Sequence, residues 1–321
     1  MSDQGKRSRR GYMYTPFGGA QALDSAMGEN MARLTSRKAP MGLIAPNHEM
    51  ADKLEQLRQT TLNVWGAQIG QSQQVLGGVQ ARRQRTDADF LAAIRASVDT
   101  PGATALDTRN ARRDAREDHQ FNNMMIGNDA LVHQARLSTL QPRHEALFET
   151  KVKNTSPGIY PDLFPDPPLR FLQGGDTPYS SGDKLYVLGH GAPGKNRLFA
   201  RSDGQGGSLS AKKLAKHLRD AGLPTDMMDV RLTACQGVPA LDETIKDPVK
   251  DTQHSGYLVP EVARAFHGLG FQNLTVTGYQ GNGVTFPFGS QHHLRSSPDD
   301  DEERVKRSLA AVRYPVKDMG D

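Results

Sequence analysis

Cysteine is nearly absent from this 321-residue chain: Cys235 stands alone, which excludes an internal disulfide framework and any cysteine-rich zinc site. Long apolar runs are missing too. No stretch approaches the roughly 18 to 20 residues of a membrane span, and the basic amino-terminal residues 1–14 are not followed by the apolar core of a secretory signal. Aromatic residues make up 6% and hydrophobic residues 36%, lean for a chain that is compact throughout, so part of it is expected to be loosely packed. Charge of one sign is also scarce. A net charge of +4 over this length is a slight basic excess that gives only weak support to nucleic acid or a membrane surface as a partner, and neither nucleic-acid binding nor a membrane span is expected.

What is present is concentrated in two short runs. Residues 184–194 read KLYVLGHGAPG and residues 229–237 read DVRLTACQG. In each, apolar residues alternate as in a strand and stop at a chemically capable side chain, His190 in the first and Cys235 in the second. Between them residues 208–221 read as a helix, with Ser210 as N-cap, Leu209 and Leu214 as a hydrophobic staple, and Gly222 and Pro224 closing it. Strand, helix, strand implies a right-handed parallel crossover. The carboxyl ends of both strands then share one sheet edge, where open α/β sheets place their sites.

The chemistry of such a pair is specific. A cysteine thiol titrates near 8.5, and a neighbouring imidazole can accept its proton during attack on a carbonyl and return it to the leaving amine. Gly191 would let its backbone N–H approach an oxyanion, with the N–H of Cys235 as second donor. Taken singly, the bland readings are a small buried cysteine and a turn histidine. An α/β-hydrolase is excluded because no Gly-x-Ser-x-Gly elbow exists; residues 206–210 lack the final glycine.

His190-Gly191 and Ala234-Cys235, each at a strand end and in this order, resemble the caspase-like cysteine peptidases. The segment LYVLGHG, a polar loop and SLSAKKLAKHL are most similar to the self-processing peptidase domains of bacterial toxins and effectors. The resemblance covers about residues 168–290. It implies an α/β fold with a mostly parallel sheet flanked by helices, and a Cys-His dyad cleaving a host or self protein with no cofactor required for chemistry. It also implies inositol hexakisphosphate as an activator, for which Lys212, Lys213, Lys216 and Arg219 offer basic surface, against the plainer reading of a solvated helix face. Delivery to a host cytosol without a cleavable signal is the matching expectation, otherwise a cytoplasmic location. Two other classes stay open: a degenerate caspase-like module that binds protein, and an enzyme that only trims itself.

Four regions are expected along the chain. Residues 1–45, with basic Lys6, Arg7, Arg9 and Arg10 and no sustained period, read as a flexible tail. Residues 46–153 read as a helical accessory region with helices over about 47–80, 87–98 and 128–150, the first broken by Gly70, Gly77 and Gly78; it would bind a secretion chaperone or a host protein. Arg82, Arg83 and Arg85 form a basic knot there, and His119, His133 and His144 read as structural rather than as metal ligands. Residues 154–169, with five prolines, form an extended connector. Residues 170–321 form the peptidase domain, with an edge strand at 170–173, a polar loop from 239 to 256, a helix over 257–268 and a strand over 274–279. Tyr279 and Gln280 are candidate cleft residues on the dyad's edge. His254 ranks behind His190 as a base, and the adjacent His292 and His293 carry no chemistry. A last helix is expected from Ser297-Pro298, with Val305, Leu309 and Val312 on its apolar face; the toxin-type domains end instead in a β-rich flap.

Overall fold

The computed structural model describes residues 10–153, 183–238, 256–283, 294–296 and 304–320. They fall into two compact units: residues 1–60 with 145–321, and residues 61–144. The proline-rich connector, the 170–173 strand, most of the 239–256 loop, His254, His292 and His293 lie outside the described residues.

The first unit is α/β. Its main sheet has the order β12-β8-β7-β4-β1-β2-β3, in which every neighbouring pair is parallel except β12 with β8. The strands are β1 (Gly11–Tyr14), β2 (Leu43–Ile44), β3 (Val152–Lys153), β4 (Lys184–Val187), β7 (Asp229–Leu232), β8 (Thr275–Tyr279) and β12 (Ala311–Pro315). A hairpin of β5 (Arg197–Phe199) and β6 (Ser208–Ser210) follows β4, and β9 (Asn282–Gly283), β10 (Leu294–Ser296) and β11 (Arg304–Lys306) form a small antiparallel sheet.

Strand alternation sorts the two faces of the main sheet. Leu185, Val187, Val230, Leu232 and Val276 join a fully buried cluster with Leu214 and Leu218 of α4 (Ala211–Asp220) and with Val262 and Phe266 of α5 (Leu258–Gly268). The opposite set is more polar. Helix α1 (Ala20–Thr35) sends Glu29 into a buried ion pair with Arg307, whose guanidinium lies 5.8 Å from the Tyr186 ring centroid and 5.2 Å from that of Tyr279. Arg231 of β7 lies over Tyr186 from 5.7 Å and is bonded through two nitrogens to Asp229. Burial alone would lower the pKa of Arg231, yet the Asp229 carboxylate holds it above the usual arginine value.

Three expectations are corrected here. Residues 1–45 are not a flexible tail as far as they are described: from Gly11 on they supply β1, paired on both sides, then α1 and β2. The period is invisible because a strand buried on both faces does not alternate. The expected carboxyl-terminal helix is replaced by β11 and β12; Val312 and Tyr314 point to the core while Arg313 is exposed, a two-residue period, and Leu309 stands in solvent. The proposed break at Gly70, Gly77 and Gly78 does not occur either.

Instead α2 (His48–Asp99) and α3 (Ala105–Glu149) run without interruption. Asn47 caps the first through its side chain to Met50 N–H, and Thr104 with Asp107 forms a reciprocal capping box on the second. Within the second unit the two helices lie side by side: Arg82 meets Asp129 at 3.0 Å, Ser72 meets His133 at 3.1 Å, and the Phe90 and His119 rings stack at 4.5 Å. Each helical glycine costs about 1 kcal/mol relative to alanine, which pairing along a long seam offsets. No described helix is long and apolar enough to cross a membrane.

Candidate active site

Parallel pairing of β4 with β7 carries both strands to one edge of the sheet. Past β4, Leu188 N–H donates to Tyr14 O at 2.8 Å, so β1 extends the alignment by one residue. The chain then turns at Gly189, against which the Leu198 side chain packs, and His190 exchanges two backbone hydrogen bonds with Phe199, of 2.9 and 2.8 Å. His190 is thereby fixed by the β5-β6 hairpin, not left on a free loop. That hairpin feeds directly into α4, whose first turn is capped by Ser210 and tied by Ala211 N–H to Asn196 O at 2.8 Å.

The cysteine is held from the other side. Thr233 donates both its N–H and its hydroxyl to Val187 O, each at 3.1 Å, joining the end of β7 to the end of β4. Gln236 takes a left-handed φ of 49° and donates its N–H to Gly281 O at 3.0 Å, while Gly237 O accepts from Val259 N–H at the start of α5. Cys235 sits between these anchors, half-buried and in no disulfide.

Gly191 brings the two tips together. A methyl group on its Cα would overlap the carbonyl oxygen of Cys235 and lie 3.2 Å from the Ala234 Cβ. Only glycine permits this approach of two backbones. His190-Gly191 and Ala234-Cys235, 45 residues apart in sequence, are therefore in direct main-chain contact.

Burial pushes the pKa of half-buried His190 below the ordinary histidine value, an effect the Asp203 carboxylate partly opposes. The imidazole is consequently neutral at physiological pH and can accept a proton. Asp203 lies in the turn between β5 and β6, bonded to Arg201 and to the Gln205 N–H. Nothing in its sequence context marks it, because its influence on His190 arises only when the hairpin folds back.

The other candidates fare differently. Tyr279, expected in a cleft, is 1% exposed and belongs to the buried side of β8 beneath Arg307, so it is a core residue. Gln280 is half-buried at the same strand end, its N–H bonded to Ala310 O at 2.9 Å. Of the basic residues on α4, Lys216 and Arg219 are both engaged by Asp220, at 2.7 and 2.9 Å. No group of three or more histidine, cysteine or acidic side chains suited to a metal occurs among the described residues. In comparisons with family models, with curated proteins and with solved structures, nothing matches the chain.

Proposed function

We propose that this chain is a cysteine endopeptidase with a caspase-like α/β domain, using Cys235 as nucleophile and His190 as general base and acid. The observation that supports the reading is the main-chain contact of Gly191 with Cys235, by which the strand tip that carries His190 meets the one that carries Cys235. A neutral His190 suits the role. In the first step the Cys235 sulfur bonds to the substrate carbonyl carbon as His190 takes the thiol proton. The scissile C–N bond then breaks, His190 protonates the departing amine, and water, deprotonated by the same imidazole, releases the acyl group from the thioester. The backbone N–H groups of Gly191 and Cys235 are the oxyanion donors in this scheme.

The β-rich carboxyl-terminal segment also supports the resemblance to toxin-type peptidase domains, since it removes the one departure expected from sequence. A host or self protein is the proposed substrate and inositol hexakisphosphate the proposed activator. The experiment incubates wild type, Cys235→Ala and His190→Ala with a cell lysate, with and without inositol hexakisphosphate, and maps new peptide termini. Termini produced by wild type and lost in both variants support the reading; termini that persist with Cys235→Ala remove it.

A second reading, a non-catalytic protein-binding module, draws on the exposed Phe121, Met124, Leu131 and Val132 of the helical unit. It predicts that alkylation of Cys235 by iodoacetamide is slow and unaffected by His190→Ala.

A further inference from the structure

Helix α3 is apolar on two sides. Its inward seam toward α2 includes Ile126 and His133, both at least partly buried. Phe121, Met124, Met125, Leu131 and Val132 are instead 46–66% exposed. At 3.6 residues per turn these five, with Asn128 and Ala135, fall within one stripe of roughly 120°, and that stripe lies about 180° from the seam. A continuous apolar stripe of this kind facing solvent on a helix is uncommon unless something covers it.

The charges beside the stripe identify the occupant. Asp118 and Arg136 bracket it at its two ends and are 18 residues apart, about five whole turns, so they project on the same side of the helix. Asp114 and Arg143, 29 residues or about eight turns apart, lie on the same side further out, although Asp114 is already paired with Arg113 at 3.0 Å, so Asp118 and Arg136 are the pair that matters. On this one flank the acid, Asp118, lies toward the amino end and the base, Arg136, toward the carboxyl end of a stripe centred near Asn128. Two copies of α3 laid antiparallel across a twofold axis at that centre would put Asp118 of each opposite Arg136 of the other, twice over. A parallel pair would not, because the same operation would turn these side chains to opposite sides. Neither Asp118 nor Arg136 makes an ion pair among the described residues, whereas Asp129, off the stripe, is already bonded to Arg82 of α2.

We propose that the outward stripe of α3 is a self-association surface, through which two copies of this chain pair antiparallel, α3 against α3, with each α2 on the outer side of its own α3. The chemistry at Cys235 has no part in the argument. Each hairpin by itself buries only the seam between α2 and α3; the pairing buries the opposite apolar side of α3 against its symmetry mate.

Sedimentation equilibrium on the full-length chain tests this. Wild type should show twice the mass of one chain at micromolar concentration, and Met124→Glu/Val132→Glu the mass of one, with an unchanged far-ultraviolet helical signal. Asp118→Arg alone and Arg136→Asp alone should each weaken the dimer by about tenfold or more, and the two together should restore it to within about threefold of wild type. In a Cys235→Ala background, Asn128→Cys should give a disulfide-linked dimer on mild oxidation, and Thr108→Cys should not. A wild-type chain that stays monomeric, a dimer indifferent to the stripe substitutions, or a double charge reversal no better than either single one would overturn the proposal.

Discussion

Gly191 shows how one missing side chain can decide a site. The neighbour that an added methyl would strike is a backbone carbonyl, that of Cys235, which cannot swing aside as the end of a flexible side chain could. Gly191→Ala is expected to cost about 1–3 kcal/mol in urea unfolding and to change the iodoacetamide reactivity of native Cys235; unaltered stability and reactivity would mean that the two tips are not in contact. His217 on α4 is the second informative residue. Its Nε2 is 2.7 Å from the Tyr14 hydroxyl of β1, and burial lowers its pKa while Asp220 opposes the change. Above the unfolded histidine value of about 6.5 neither state binds the proton, so this contribution is constant there. As pH falls through that value the unfolded chain takes up a proton that the folded chain refuses, and stability drops until the lower folded pKa is reached. His190 shifts in the same direction. The thermal midpoint should therefore decline as pH falls below about 6.5, and decline less in His217→Gln, whose amide can still meet Tyr14; identical slopes in both proteins would exclude this origin.

At the level of elements, the amino-terminal strand-helix-strand is integral to the sheet. Strand β1 separates β4 from β2, and α1 is fastened to the segment preceding β12 by the Glu29–Arg307 pair, both partners under 10% exposed. Asn30 adds hydrogen bonds of 2.9 Å to Met41 O and to the Thr150 hydroxyl, so α1 also holds the approaches to β2 and β3. Replacing one member of a buried pair strands the other charge. Glu29→Gln is expected to destabilise by about 3–5 kcal/mol, and Glu29→Met/Arg307→Met by clearly less, measured by chemical denaturation. A double variant as damaged as the single would show that the pair's worth is its attraction rather than the cost of an orphaned charge. These strands were hard to read because four residues such as GYMY carry too little period, and because the partner that buries them lies some 170 residues away at β4. Helix α4 was legible to its cap, since Ser210, Leu214 and Gly222 act locally.

For the whole molecule, the helical unit reads as an insertion into the α/β unit. Within the latter, the Arg58 guanidinium reaches the carbonyls of Leu147 and Phe148, at 3.4 and 3.2 Å, so the first turns of α2 and the last turns of α3 are already neighbours. Replacing residues 61–144 with a short glycine-serine loop should leave a cooperatively unfolding α/β protein with wild-type Cys235 alkylation, because the insertion's ends need little chain to join; an aggregated product would show that the sheet depends on the helices. The sequence alone determined the crossover around α4, the parallel β4-β7 pair and the position of His190 and Cys235 just past their ends, because short-range periodicity, capping and the uniqueness of Cys235 are all local signals. Tertiary structure decided the rest. Whether residues 11–44 join a sheet, whether Tyr279 faces a groove or the core, and whether Val312 sits on a helix or a strand depend on which distant edge offers unpaired backbone groups, and no local pattern encodes that offer.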